Sequence, residues 1–155
     1  MAGPLKSVAG RSKGKIRKKQ FAIIVAEWNE EITGALYEGA YNGLIELGAD
    51  KDNIERINVP GTFELTLGAL KSAEKKHVDA VICLGCVIQG ETPHFDYICQ
   101  AVAYGITEVN IKTGKPVIFG VLTTLDKQQA LARAGGKFGN KGEEAAITAV
   151  KMLEI

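Results

Sequence analysis

Two hydrophobic patterns alternate along the chain. Three short, continuous apolar runs are typical of strands covered on both faces, and a fourth, weaker strand lies between the first two. These predicted strands are residues 21–26, 54–59, 80–87 and 117–122. Elsewhere, apolar residues recur every three or four positions, which is typical of helices with one buried face. The predicted helices are residues 30–47, 63–76, 94–111, 127–134 and 143–153.

The apolar positions of each helical segment predict which face packs against the sheet. In the second helix they are Phe63, Leu67, Leu70 and Ala73. In the third helix they are Ile98, Val102, Ile106 and Val109. Gly48 follows the first helix as a typical C-terminal stop, and Pro93 suits the first turn of the third.

The order of these elements predicts the fold. Strand and helix alternate four times, and parallel strands need crossover connections that helices supply on both faces of a sheet. A chain of 155 residues is long enough for one domain with its own core. We therefore predict one domain, residues 21–155, with an α/β fold: a three-layer α/β/α sandwich around a four-stranded parallel sheet.

Residues 1–20 form a basic N-terminal arm ahead of this domain. They carry seven Lys or Arg side chains and no acid, whereas the rest of the chain carries twelve basic and eighteen acidic residues. Such an arm can bind nucleic acid or a membrane surface, or be the remnant of an organelle-targeting segment. No aromatic residues interleave the charges, so we favour a solvated tail and expect no nucleic-acid or membrane partner.

Redox, metal and dinucleotide chemistry are disfavoured. The Cys-x-x-Cys stretch at residues 83–86 lies in an apolar strand, whereas redox pairs of this kind open a helix. No second ligand pair with zinc spacing exists, and the glycines match no nucleotide-binding motif, so we predict no metal. Three cysteines, an odd number, fit a reducing compartment. With no secretory signal or membrane-spanning run, the expected location is the cytoplasm.

The strongest candidate site lies where the four predicted strands end. In open parallel sheets, ligands bind outside the carboxyl ends of the strands. Distinctive residues follow each strand there: Trp28-Asn29, Pro60-Gly61-Thr62, residues 88–94, and Thr123-Thr124. A helix start that brings a threonine beside a histidine suits anion binding and proton transfer. The residues alone therefore predict a small α/β protein with a phosphate site.

Each candidate residue also has a structural explanation. Trp28 is either a stacking platform for a flat heterocycle or an aromatic at the edge of the core. Glu64 either contacts a ligand hydroxyl or is a first-turn acid favoured by the helix dipole. His94 is either a proton carrier or an exposed helix residue. Arg133 and Lys141 would ordinarily count as solvated charges.

Three loop motifs resemble those of the lumazine synthase family. They are Gly90-Glu91-Thr92-Pro93-His94-Phe95-Asp96-Tyr97, Pro60-Gly61-Thr62-Phe63-Glu64-Leu65, and Arg133-Ala134-Gly135-Gly136-Lys137 followed by Gly139-Asn140-Lys141-Gly142. The motifs occur in the family's order, and the resemblance runs from about residue 21 to residue 152.

Members of that family condense 5-amino-6-(D-ribitylamino)uracil with 3,4-dihydroxy-2-butanone 4-phosphate. The product is 6,7-dimethyl-8-ribityllumazine, a riboflavin precursor; phosphate and water are released, and no cofactor is used. The resemblance implies that His94 moves protons. It assigns the following residues to substrate binding: Trp28, Thr62, Phe63, Glu64, Cys86, Val87, Ile88, Glu91, Thr92, Phe119, Arg133 and Lys141.

The resemblance also divides the pyrimidine site among these residues. Trp28 would stack on the pyrimidine ring, and backbone groups of residues 86–88 would read its edge. Thr62, Phe63 and Glu64 would line the pocket for the ribityl chain, with Glu64 accepting from its hydroxyls.

The phosphate would be held by other residues of the family pattern. Backbone N–H groups of Glu91 and Thr92 would bind it at a helix start, Arg133 would clamp it, and Lys141 would assist. Phe119 would close the pocket from a neighbouring subunit, and Arg133 would come from that subunit as well.

The resemblance further implies self-association. Family members form pentamers, and many stack pentamers into a sixty-subunit icosahedral shell, which the short link at residues 135–142 favours here. Gln20 and its basic neighbours would pair with the sheet edge of another subunit. Riboflavin synthase is a candidate partner.

Two other kinds of function remain open. One is a binding module that keeps the same site without turnover, which the presence of both His94 and Arg133 argues against. The other is a structural compartment or a flavodoxin-like signalling domain. A signalling domain would need an acidic cluster after the first strand, and Glu27-Trp28-Asn29 supplies a single acid.

Overall fold

The structure, a computed structural model, describes residues 14–155. Residues 1–13, with three of the arm's basic side chains, lie outside the described residues. The strands are β1 (Phe21–Ala26), β2 (Ile54–Val59), β3 (Ala80–Ile88) and β4 (Val117–Thr124). The helices are α1 (Glu30–Leu47), α2 (Leu65–Ala73), α3 (His94–Thr113), α4 (Lys127–Leu131) and α5 (Lys141–Met152). A hairpin of β5 (Ala134–Gly136) and β6 (Gly139–Asn140) joins α4 to α5, and a 3₁₀ turn (Lys51–Asn53) precedes β2.

The four main strands form one parallel sheet with the order β2-β1-β3-β4. The helices α1 and α5 pack on one face and α2 and α3 on the other, which confirms the predicted three-layer α/β/α sandwich. All six residues of β1 are buried. Ile23 packs in the layer with α1 and α5, whereas Ile24 packs in the layer with α2 and α3. This two-sided burial explains why β1 is continuously apolar in sequence.

The predicted inner face of α2 is half right: Leu70 and Ala73 pack against the core, but Phe63 and Leu67 do not. Phe63 and Leu67 are 56% and 58% exposed, whereas Leu65 and Ala69 are fully buried. The helix begins at Leu65, two residues later than predicted, because residues 61–64 form a turn in which Glu64 N donates to Gly61 O at 3.2 Å. Gly68 allows α2 to approach the sheet closely, since an added Cβ there would lie 2.9 Å from Cγ2 of Ile24.

The connection between the last two helices also differs from the prediction. α4 ends at Leu131, and α5 begins at Lys141, two residues earlier than predicted. Asn140 caps α5, because its Oδ1 accepts from Gly142 N at 2.8 Å, and its Nδ2 donates to Ala35 O in α1 at 2.9 Å. The glycine-rich link is therefore a hairpin fastened to two helices.

The last residues of the basic arm pack on the domain, so the expected solvated tail does not hold for residues 16–20. Ile16 is 2% exposed and belongs to the core layer of α1 and α5. The carboxylate of Asp79 accepts from Gln20 N at 2.8 Å and from Lys19 Nζ at 3.1 Å. An isoleucine among charges thus anchors this segment, while Lys18 stays exposed.

We expect Ile16→Ala to lower the free energy of unfolding by about 2–4 kcal/mol, because it removes a fully buried side chain. Urea denaturation at fixed protein concentration measures this change. Lys18→Ala, two positions away on the exposed side, is the matched control and should leave the midpoint unchanged. Equal midpoints for both variants would mean that Ile16 does not contribute to the core.

Candidate active site

A cavity of about 710 Å³ opens at the carboxyl ends of β1, β2 and β3. The loops that follow these strands and the first turn of α3 border it. Its lining residues are Trp28, Asn29, Pro60, Gly61, Thr62, Phe63, Glu64, Cys86, Val87, Ile88, His94 and Ile98. Eight of the thirteen residues predicted for the site are therefore brought together in one chain.

Backbone hydrogen bonds extend the pairing of β1 and β2 beyond the ends of both strands. Glu27 N donates to Val59 O at 2.8 Å, and Trp28 N donates to Pro60 O at 3.1 Å. These bonds hold Trp28 beside the loop after β2, where its side chain is 75% exposed and borders the cavity. The alternative of an aromatic at the edge of the core is therefore wrong, and the indole is available for stacking.

Asn29 ties the end of β1 to β3. Within residues 14–155 it is the one non-glycine residue with positive φ, at 62°, a conformation that asparagine tolerates better than most residues. Its Nδ2 donates to Cys86 O at 3.0 Å. Thr62 Oγ1 lies 3.5 Å from the same carbonyl oxygen, so the loops after β1 and β2 both meet β3 at this point.

The strand β3 runs four residues past the end of its ladder with β1. The two strands pair only as far as Leu84, whereas β3 pairs with β4 up to Ile88. Backbone groups of alternate residues point to opposite neighbours, and Gln89 N donates to Thr124 O on the β4 side at 2.9 Å. The backbone of Ile88 therefore faces the cavity side. The backbone of Val87 is used in the β4 ladder, so Val87 borders the cavity through its side chain, contrary to expectation.

A carboxylate and an imidazole reach the cavity from two different elements. Glu64 immediately precedes α2, and its side chain makes no hydrogen bond that caps the helix. His94 is the first residue of α3, and its backbone N donates to Thr92 Oγ1 at 3.4 Å. Both side chains are exposed at the cavity. One group can accept from ligand hydroxyls while the other moves a proton.

The loop before α3 is exposed and leads into a helix of 20 residues. Its backbone N–H groups lie at the positive end of the helix dipole, which attracts anions. Glu91 and Thr92 stand in this loop, next to the cavity residue His94, but neither is among the lining residues of the described chain.

Three further residues predicted for the site lie elsewhere in the fold. Within residues 14–155, Phe119, Arg133 and Lys141 do not line the cavity of their own chain. Phe119 is on the edge strand β4 and is 40% exposed. Arg133 precedes the hairpin and donates from Nη1 to Gln129 O at 2.9 Å. Lys141 opens α5 and forms an ion pair with Glu144.

Four lining residues had no site role assigned from the sequence: Asn29, Pro60, Gly61 and Ile98. The first three were noted only as residues that follow a strand. Asn29 stands at a strand end, where a short polar side chain that tolerates positive φ is itself a signal. Ile98 lies one helical turn after His94, so the helical period places both on one face of α3.

The three cysteines form no disulfide in the described part of the chain. Cys83, Cys86 and Cys99 are free, and the first two are buried. Burial disfavours the charged thiolate and raises the pKa of Cys83 to about 12 and that of Cys86 to about 11. Within the described residues, no group of three His, Cys, Asp or Glu side chains is placed to hold a metal ion. No helix there is long and apolar enough to cross a membrane.

The family model for 6,7-dimethyl-8-ribityllumazine synthase matches residues 18–155. A protein of that name from Cytophaga hutchinsonii is 70% identical over 138 residues, which cover 89% of this chain and 87% of the relative. One from Porphyromonas gingivalis is 58% identical over 136 residues, 88% of this chain and 84% of the relative. One from Parabacteroides distasonis is 57% identical over 133 residues, 86% of this chain and 83% of the relative.

We expect Cys83 and Cys86 to resist thiol reagents at pH 8 in the folded protein, because that pH lies well below both pKa values and leaves them protonated. Titration with a chromogenic disulfide reagent, before and after unfolding in guanidinium, measures this reactivity. Half-buried Cys99 should react before the other two, and all three should react once unfolded. Rapid reaction of Cys83 and Cys86 in the native state would support a redox function for this pair.

Proposed function

The chain belongs to the 6,7-dimethyl-8-ribityllumazine synthase family, and we propose that its cavity is the pyrimidine half of an active site completed by a second copy. The protein is a transferase of riboflavin biosynthesis. It condenses 5-amino-6-(D-ribitylamino)uracil with 3,4-dihydroxy-2-butanone 4-phosphate to 6,7-dimethyl-8-ribityllumazine, releasing phosphate and water. The proposal for the site rests on the cavity, where an exposed indole, a carboxylate and an imidazole converge from three loops.

The pyrimidine amine occupies the cavity with its ring on Trp28. The exposed indole supports this role, because a flat heterocycle gains most by stacking on an uncovered aromatic face. Thr62, Phe63 and Glu64 line the ribityl pocket, and the carboxylate of Glu64 is free of any capping bond that would compete with the sugar hydroxyls. Ile88 offers backbone donors and acceptors to the ring edge, since β1 does not pair with it.

The backbone of Cys86 takes a smaller part in this recognition than expected. Its carbonyl already accepts from Asn29 Nδ2 at 3.0 Å and lies within 3.5 Å of Thr62 Oγ1. Cys86 therefore fixes the loops that bind the pyrimidine and forms the floor of the cavity.

The phosphate binds between the start of α3 and a cationic group from a second copy. Glu91 and Thr92 supply backbone N–H groups beside His94, and Arg133 and Lys141 supply positive charge. The placement of both cations away from the cavity of their own chain supports this division. Phe119, half-exposed on the edge strand, would cover the cavity of the adjacent copy in the same way.

Self-association has further support in uncovered apolar side chains. Leu67 on α2 and three residues seven positions apart on α3, Tyr97, Tyr104 and Ile111, are between 58% and 75% exposed. The seven-residue spacing places the α3 residues along one stripe of the helix, so a second copy can bury them together. We propose pentamers that assemble into a sixty-subunit shell, in a reducing compartment such as the cytoplasm.

The chemistry needs proton transfer and the placement of two substrates. The aryl amine attacks the ketone, and loss of water gives an imine. Removal of a proton from the neighbouring carbon expels the phosphate and leaves an enol, which becomes a ketone. The second nitrogen attacks this ketone, and loss of a second water closes the ring. His94 moves protons in these steps, and Arg133 with the α3 N–H groups stabilises the departing phosphate. Much of the rate acceleration comes from holding the two substrates in reacting geometry.

We expect His94→Ala to lower kcat by about 100-fold without abolishing turnover, because proximity remains when general acid–base help is lost. Absorbance of the lumazine product measures the rate. His77→Ala, at an exposed position before β3, is the matched control and should leave kcat unchanged. Loss of all turnover in an intact assembly would contradict the importance of proximity.

We expect a mixed assembly to regain activity lost in two single variants. Trp28→Ala removes the stacking platform and Arg133→Ala the phosphate clamp, so each homogeneous assembly should turn over slowly. In a coexpressed mixture of equal parts, about a quarter of the shared sites would carry both native residues.

Differential tags and tandem purification isolate the mixed assemblies for this measurement. Activity near a quarter of the native value supports a site shared between copies. Activity no higher than the mean of the two variants would place both residues in the site of one chain.

A further inference from the structure

The hairpin between α4 and α5 holds an aromatic ring against the proposed phosphate clamp. The guanidinium carbon of Arg133 lies 4.9 Å from the centroid of the Phe138 ring. Lys137 Nζ lies 5.5 Å from the same centroid. The Phe138 ring therefore makes cation–π contacts with two basic side chains, one of which is the residue proposed to bind the substrate phosphate.

The backbone around the ring is fixed although the ring itself is 58% exposed. Phe138 N donates to Ala132 O at 2.7 Å, and Lys141 N donates to Arg133 O at 2.9 Å. Gly136 packs against the backbone of residues 131–132, where an added Cβ would lie 2.7 Å from Leu131 O. The ring and Arg133 are thus held in one hydrogen-bonded frame.

We propose that Phe138 is a positioning residue that holds the guanidinium of Arg133 ready for the substrate phosphate. The inference rests on the proposed role of Arg133 in binding that phosphate. A long arginine side chain that is free in solution must be ordered when an anion binds, which weakens binding. Stacking on the ring orders the side chain before the substrate arrives.

The contacts of Arg133 leave its anion-binding edge available. The guanidinium carbon lies over the ring, a contact that occupies none of the N–H donors, and Gln129 O accepts from Nη1. The guanidinium has five N–H donors, so others remain for bidentate binding of a phosphate. Lys137, near the same ring, adds positive charge without occupying those donors.

Loss of the ring should weaken binding of the phosphorylated substrate and little else. For a cation–π contact at an exposed site, we expect Phe138→Ala to raise the KM for the butanone phosphate about two- to fivefold. Competitive inhibition by inorganic phosphate should weaken by the same factor. The KM for the pyrimidine should stay within error, because Phe138 lies away from its pocket. The kcat at saturation should also stay within error, because the bound phosphate itself orders the Arg133 side chain in the variant.

The test compares assembled enzyme carrying Phe138→Ala, Phe138→Leu or Phe138→Tyr with the native enzyme. Tyrosine keeps an aromatic face and should restore the native KM for the phosphorylated substrate, whereas leucine keeps apolar bulk only and should not. Met152→Ala removes an exposed apolar side chain at the opposite end of α5 and is the matched control. Recovery with leucine, or an equal rise of both KM values, would overturn the proposal.

Arg133→Ala, alone and combined with Phe138→Ala, separates this inference from the function it rests on. We expect the single arginine variant to raise the KM for the phosphorylated substrate and the double variant to raise it no further. A rise from Arg133→Ala with none from Phe138→Ala would overturn the role of the ring only. No rise from Arg133→Ala would overturn the proposed clamp, and the role of Phe138 with it.

Discussion

The two-sided burial of β1 and β3 is the constraint on which the rest of the structure depends. All of β1 and most of β3 are closed to water, so helices must cover both faces of the sheet and each crossover must return the chain in the same direction. The loops after the strands consequently gather at one edge. Because β3 runs past the end of its pairing with β1, this edge of the sheet has a step, and the cavity lies in the step. The hydrogen bond from Asn29 to Cys86 O holds the loop after β1 against β3 there.

The proposed site draws on two rigid supports. The residues proposed for stacking and proton transfer stand on the loops after the central strands and at the start of α3, whereas Arg133 and Lys141 flank a hairpin that Asn140 fastens to α1 and α5. Condensation of two substrates depends on their relative placement, and separate rigid supports allow each substrate to be held by its own frame. Under the proposed sharing of the site between copies, the packing of the chains would set the relative position of the two frames.

Much of the fold could be predicted because buried strands and buried helix faces appear in the sequence as regular patterns of apolar residues. Continuous apolar runs predicted β1, β3 and β4, and helical spacing predicted α3. Together they indicated the layers of the fold and the edge of the sheet that holds the cavity. The loop motifs predicted the family and the activity, which the comparisons confirm. The inner face of α2 could be predicted only in part, since the small residues Ala69 and Ser72 are buried while the larger Leu67 is exposed. Two contacts could not be predicted from the spacing of residues in the sequence, because they join distant or irregular segments. They are the packing of Ile16 in the core and the contact of Phe138 with Arg133.

The burial of Cys86 has a consequence for the selectivity of the reaction. This thiol borders the cavity, and the proposed reaction would bring a ketone close to it. A thiolate there would compete with the substrate amine for the carbonyl. Burial raises the pKa of Cys86 to about 11, which keeps the thiol protonated and weakly nucleophilic at neutral pH. Under the proposed function, the buried sulfur would therefore not trap the substrate as a hemithioketal.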